Sequence, residues 1–293
     1  MAETFIYREV GNCSVEGTLH RSPLKHAPLI IFIHGGGLVW GSKDDMHKEQ
    51  IKRYTEAGFN VFSVDYRLAP ETKLPEIRDD IAYLLKWIKT DASSIFGFDS
   101  KRVAVIGNSA GGYLALLSGT FDIKPDAIVS FYGYGQITGD WYRNASSHFT
   151  AMPTVTKSLA EQLVQPTPIA AAPIHTRYAI YLYCRQTGSW LDWVAGKKLA
   201  EDSAALKKFA PIELADSNYP ATFLIHGNAD EDVPYAESVA MKLKLDTAGV
   251  SNELLTIDNG KHNFDANMSD PNAIYAVEQT IKFLTDQFKT SKM

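Results

Sequence analysis

Residues 102–119 read RVAVIGNSAGGYLALLSG, and this stretch decides the fold. Arg102 to Ile106 is a short apolar run of the kind that forms a strand covered on both faces. Ser109 to Ser118 is small and apolar and reads as a helix. Between them stands Gly107-Asn108-Ser109-Ala110-Gly111, a G-x-S-x-G pattern in a strand–turn–helix setting. Such a turn holds its serine in a strained backbone, and a Cβ at either flanking glycine would run into a neighbouring strand or helix. The hydroxyl is pushed out at the carboxyl end of the strands, beside a helix N-terminus that favours developing negative charge. Ser109 is therefore the candidate nucleophile.

The same rhythm extends in both directions. Leu29–Ile33, Phe59–Val64, Ala127–Phe131, Ala221–Ile225 and, more weakly, Glu253–Ile257 are further strand-like runs. Helical segments are expected at Asp45–Ala57, Glu76–Thr90, Ala236–Ala248 and Pro271–Phe288. Thr4–Val10 and Ser14–Leu19 flank the turn pair Gly11-Asn12 and read as a hairpin. Alternating strands and helices give an α/β fold: a mostly parallel, doubly wound, eight-stranded sheet with an N-terminal hairpin. Residues 1–293 are expected to form a single domain. Residues 135–206 break the rhythm: they are rich in aromatics and prolines and too long for an ordinary loop. They are expected to form a partly helical, cap-like insertion over one end of the sheet.

The 293 residues are 45% hydrophobic and 22% charged, which argues against disorder. A net charge of −5 without a basic run speaks against nucleic acid or anionic membranes as partners. No run approaches the length of a membrane span, and the first residues have no leader pattern, so a cytoplasmic protein is expected. Cys13 and Cys184 cannot build a disulfide framework and are expected to be reduced thiols. No metal-ligand spacing or phosphate loop occurs, so no cofactor is expected. A homodimer is compatible with the sequence.

A serine needs donors for its oxyanion and a base for its proton. His34-Gly35-Gly36-Gly37 follows the first long apolar run and exposes backbone N–H groups without side chains in the way. The N–H of Ala110, next after the serine, joins them. His262 follows the last strand-like run and precedes the final helix, where a serine–acid–histidine order puts the base. The acid is expected in His226-Gly227-Asn228-Ala229-Asp230-Glu231-Asp232, where Asp230 is preferred and Asp232 is next. His226 itself reads as a structural strand-end residue.

HGGGLVWGS (34–42), DYRLAPE (65–71) and GNSAGGYLA (107–115) together resemble the α/β-hydrolase superfamily, and most closely the hormone-sensitive-lipase-like carboxylesterases. The resemblance covers roughly residues 27–135. It implies an α/β-hydrolase fold, a Ser109–His262–Asp230 triad, and an oxyanion hole made by the N–H groups of Gly36, Gly37 and Ala110. Three departures stand out. Asn108 replaces an aspartate, the loop HGNADEDVP (226–234) is more similar to acetyl-esterase-like and peptidase-like hydrolases, and no N-terminal cap precedes the sheet. Asp65, Tyr66 and Arg67 read as structural, with Arg67 tying loops together.

The expected activity is that of a serine carboxylesterase acting on short or small acyl esters through an acyl-enzyme. Trp40, Trp141, Tyr142, Trp190 and Trp193 are candidates to shape its pocket. An arylformamidase or another amide or peptide hydrolase would use the same triad. A hydrolase-fold binding protein is the reading from another class, and such proteins usually lack a triad member.

Overall fold

A computed structural model describes residues 2–290. Its centre is one eight-stranded sheet: β1 (Ala2–Val10), β2 (Cys13–His20), β3 (Pro28–Ile33), β4 (Asn60–Val64), β5 (Asp99–Asn108), β6 (Ala127–Phe131), β7 (Ala221–Gly227) and β8 (Asn252–Ile257). The strand order is β1-β2-β4-β3-β5-β6-β7-β8. Strand β1 pairs antiparallel with β2, and β2 pairs antiparallel with β4; the other five pairs in this order are parallel.

The apolar strands are continuous because both faces are covered. Leu29, Ile31 and Ile33 of β3 enter one hydrophobic cluster, while Ile30 and Phe32 enter the other. This is the two-residue side-chain alternation of a strand between two helical layers. Helices α1 (Lys48–Glu56), α2 (Leu74–Trp87), α3 (Ala110–Ser118), α4 (Ile174–Thr187), α5 (Trp190–Ala195), α6 (Ala236–Thr247) and α7 (Pro271–Thr290) supply most of those layers. All nine residues of α3 are buried, which explains its composition of small and apolar residues. On α7, Ala273, Ala276, Val277, Leu284 and Phe288 recur at helical spacing and seal the second cluster.

Two expected boundaries move. Asp45 does not open α1: it closes a capping box with Ser42 around a separate 3₁₀ turn, and His47 caps α1 instead. Helix α2 begins at Leu74, with a proline in its first turn where a missing N–H costs nothing. Arg67 and Asp80 form a buried ion pair, with Arg67 Nε 2.8 Å from Asp80 Oδ2, so Arg67 ties the loop after β4 to α2.

Between β6 and β7 the chain forms short helices around α4 and α5. Among the described residues no helix is long and apolar enough to cross a membrane. Cys13 and Cys184 are both buried free thiols.

Candidate active site

Ser109 sits on the turn between β5 and α3 with φ 54° and ψ −120°, a conformation L-residues rarely adopt. Its N–H donates to the Phe131 carbonyl at 2.9 Å, which pins the turn to the end of β6. The flanking glycines are sterically required. A methyl group on Gly107 would lie 2.1 Å from the Gly111 carbonyl oxygen, and one on Gly111 would lie 2.0 Å from that of Ile33.

His262 lies in the loop after β8 and reaches back across the sheet end. Its Nε2 is 3.1 Å from Ser109 Oγ, and its Nδ1 donates to Asp230 Oδ2 at 2.7 Å. Asp230 comes from the loop after β7, and its side chain is fully buried. Its Oδ1 accepts the N–H groups of Asp232 at 2.8 Å and Val233 at 2.9 Å. Burial opposes ionisation of Asp230, but hydrogen bonds from His226 and His262 hold its carboxyl well below the usual range. His226 therefore does more than end a strand. Its Nε2 lies 3.1 Å from the Val233 carbonyl and 3.3 Å from Asp230 Oδ2, and its Nδ1 is 2.7 Å from Ser238 Oγ. A carbonyl only accepts, so Nε2 carries the proton and the serine hydroxyl donates to Nδ1.

Burial also opposes charge on His262. The Asp230 hydrogen bond and the charges of Asp232, Asp230 and Asp265 outweigh it and lift the imidazole above its ordinary value. Ser109, His262, Gly35, Gly36 and Gly37 all line one cavity of about 440 Å³. Gly36 and Gly37 take φ values of 92° and 61°, conformations open to glycine without strain. Ala110 is the first residue of α3. The structure thus brings together at one end of the sheet the six residues that the sequence offers for the triad and the oxyanion hole: Ser109, His262, Asp230, Gly36, Gly37 and Ala110.

A family model described as BD-FAE matches residues 19–245. The chain belongs to the BD-FAE family. This BD-FAE chain is 28% identical over 315 residues to the non-reducing polyketide synthase adrD of Penicillium rubens. That match covers 90% of the chain but only 12% of the synthase, so the chain spans about an eighth of that curated relative's length. An α/β-hydrolase superfamily protein from Enterococcus faecalis superposes with a TM-score of 0.74 at 22% identity, covering 98% of this chain and 99% of that one. The esterase LipW from Mycobacterium marinum superposes with a TM-score of 0.69 at 23% identity, covering 98% and 82% respectively. The fold is that of the α/β-hydrolases.

The other carboxylate of the BD-FAE chain's acid loop, Asp232, takes a different place. Its Oδ1 accepts from the Tyr181 hydroxyl at 2.7 Å and from Arg185, both on α4. Its Oδ2 lies 3.8 Å from Nε2 of His262. Arg185 is buried and surrounded by the rings of Trp141, Tyr142, Phe149 and Tyr181 at 4.8–5.6 Å.

Among the expected pocket aromatics, Trp40 lines the cavity. Trp141, Tyr142 and Trp190 do not: they stack on one another, with Tyr142 and Trp190 centroids 3.9 Å apart. Trp193 packs on Tyr183 instead. Tyr178 and Tyr181 from α4 line the cavity in their place. Sequence reading also missed Tyr132, whose ring edge meets His262 at 4.8 Å and whose hydroxyl donates to Asp265. Gln50 Nε2 donates to the same carboxylate at 3.0 Å. No local motif marks these residues. Asp265 lies three residues after His262, which is the one signal available.

Proposed function

We propose that this chain is a serine hydrolase that cleaves short-chain or small acyl esters through an acyl-enzyme, a carboxylic ester hydrolase. The observation that carries this reading is the unbroken chain of hydrogen bonds Asp230–His262–Ser109, with its serine strained outward beside a triple-glycine loop. The esterase LipW, one of its structural neighbours, agrees with it.

In this reading Ser109 Oγ attacks the ester carbonyl while Nε2 of His262 takes its proton. Asp230 keeps the proton on Nδ1 and stabilises the imidazolium that forms. The N–H groups of Gly36, Gly37 and Ala110 stabilise the oxyanion. His262 then protonates the leaving alcohol, and water repeats the cycle on the acyl-enzyme. Residues 135–206 act as a cap-like insertion within one 1–293 domain, and Ile174, Tyr178 and Tyr181 contribute walls of the substrate cavity.

The test is hydrolysis of a p-nitrophenyl ester series from C2 to C12 by wild type, Ser109→Ala and His262→Ala. Turnover of short esters that both variants lose supports the reading. Inertness of the wild type on every ester, or undiminished turnover by Ser109→Ala, overturns it.

A further inference from the structure

Tyr66 follows β4 and is fully buried. Its hydroxyl lies 3.0 Å from the Gly35 carbonyl oxygen and 3.2 Å from that of His34. Its ring stacks on the His34 imidazole, with centroids 4.3 Å apart and planes 14° from parallel. His34 Nδ1 lies 2.9 Å from the same Gly35 oxygen. A carbonyl oxygen only accepts, so Nδ1 carries a hydrogen. Burial pushes the His34 pKa down to about 4, so the ring is neutral at pH 7. The Gly35 carbonyl is therefore held by two donors.

The consequence follows from peptide geometry. The one cis bond among the described residues is Ala69–Pro70, so the 35–36 peptide is trans. In a planar trans peptide the C=O and N–H point in opposite directions. Fixing the Gly35 oxygen toward Tyr66 and His34 turns the Gly36 N–H the other way. Ser109 lies close to this peptide: a methyl group on Gly35 would sit 3.3 Å from Ser109 Cβ and 3.0 Å from the Asn108 oxygen. The Gly37 N–H is set differently. It belongs to the 36–37 peptide, whose Gly36 oxygen accepts Val39 N at 2.8 Å and Trp40 N at 3.1 Å within the loop itself. One donor is thus aimed by its own turn and the other by a tyrosine brought from β4.

We propose that Tyr66 is a positioning residue that aims the Gly36 N–H at the developing oxyanion by holding the Gly35 carbonyl. This rests on the oxyanion-hole reading above and assigns the DYR stretch a part in turnover.

The test is Tyr66→Phe in the full chain, assayed on p-nitrophenyl acetate and for inhibition by 1,1,1-trifluoroacetone, whose hemiketal oxyanion mimics the intermediate. Active sites are counted by the p-nitrophenol burst with diethyl p-nitrophenyl phosphate, so misfolded protein drops out. The expected result is a loss of about ten- to a hundredfold in kcat per site, with KM within about twofold and ketone affinity weakened in step with kcat. A purely packing role would lower melting temperature and leave kcat per site and ketone affinity unchanged, and that result overturns the proposal.

His34→Asn and His34→Leu give a second arm, which decides alone if Tyr66→Phe yields no soluble protein. Asparagine keeps an N–H near the Nδ1 position and is expected to retain kcat within about threefold, while leucine loses it. Equal kcat per site in the two overturns the proposal. A wild type that turns over esters while Tyr66→Phe matches it overturns this inference alone. A wild type inert on esters overturns both this inference and the hydrolase reading.

Discussion

The Oδ2 atom of Asp232 lies 3.8 Å from Nε2 of His262, across the ring from Asp230. The imidazole is therefore flanked by two carboxylates, with Asp265 a third nearby charge, the Ser109 hydroxyl on Nε2 and the Tyr132 ring edge against one side. Burial works against the imidazolium, but the Asp230 hydrogen bond and the three carboxylates together raise its pKa above 6.5. In the proposed reaction His262 is the general base and must be neutral, so kcat/KM is expected to rise with pH through that pKa. Asp232→Asn removes one negative charge and leaves Asp230 in place. Its acid limb is expected to move to lower pH, with kcat on the alkaline plateau within about tenfold of wild type. Ester hydrolysis from pH 5 to 9 measures this, and an acid limb that stays put removes Asp232 from the account.

The partner of Asp232 carries a stability prediction. The Arg185 side chain is 2% exposed and ends on the Asp232 carboxylate, the Tyr181 hydroxyl and four aromatic rings. Removing one member of such a pair strands the other charge, at a cost of about 3–5 kcal/mol. Arg185→Met is expected to lose stability of that order in urea unfolding. Adding Asp232→Asn recovers part of it, because the orphaned carboxylate is gone. A single-variant loss below about 1 kcal/mol would show that the pair is well solvated.

What the sequence makes legible is what short segments encode. LIIFI (29–33) reads as a strand covered on both faces, and its alternate residues do enter two different clusters. G-x-S-x-G and H-G-G-G carry their own turns, so Ser109 and the glycine loop could be named without knowing where the strands pair. Asp230 and His262 could be named because each follows a recognisable strand. Asp232 bonding Arg185 47 positions away, or Tyr66 holding Gly35 31 positions away, depends on how distant segments cross, and no periodicity records that. The region between β6 and β7 depends on the same crossings. Its aromatics are interchangeable in composition, yet Tyr181 lines the cavity while Trp190 is buried donating to the Gly37 carbonyl at 2.9 Å.

The glycines of the serine turn differ sharply from those at exposed turns. Gly111→Ala places a methyl group 2.0 Å from the Ile33 carbonyl oxygen, a backbone atom in the sheet that cannot yield. Gly97→Ala meets nothing within 4 Å, although its φ of 74° is left-handed. Gly97→Ala is expected to cost about 1–2 kcal/mol of backbone strain and to leave kcat unchanged. Gly111→Ala is expected to abolish soluble, active protein or displace Ser109. Melting temperature and burst titration of the two variants side by side check this. An active Gly111→Ala of normal stability would mean that α3 can slide away from β3.

The two carboxylates of the acid loop are separable by rate and by pH. Asp230 faces Nδ1 and fixes the tautomer that leaves Nε2 free to accept, whereas Asp232 faces Nε2 and cannot take over that task. Asp230→Asn is expected to lower kcat by about 10⁴-fold, far more than Asp232→Asn. It also carries a stability signature. The folded pKa of Asp230 is depressed, so its ionised form stabilises the fold in full above the unfolded value of about 3.9, and this is lost as pH falls toward the folded value. Wild type is therefore expected to exceed Asp230→Asn in stability at pH 7, with the gap narrowing below about pH 4 as the unfolded chain takes up a proton that the native carboxylate still excludes. Urea unfolding of both proteins at pH 7 and pH 3 measures the gap. A gap that is constant with pH would assign the loss to packing of the loop rather than to the charge that His226 and His262 hold in place.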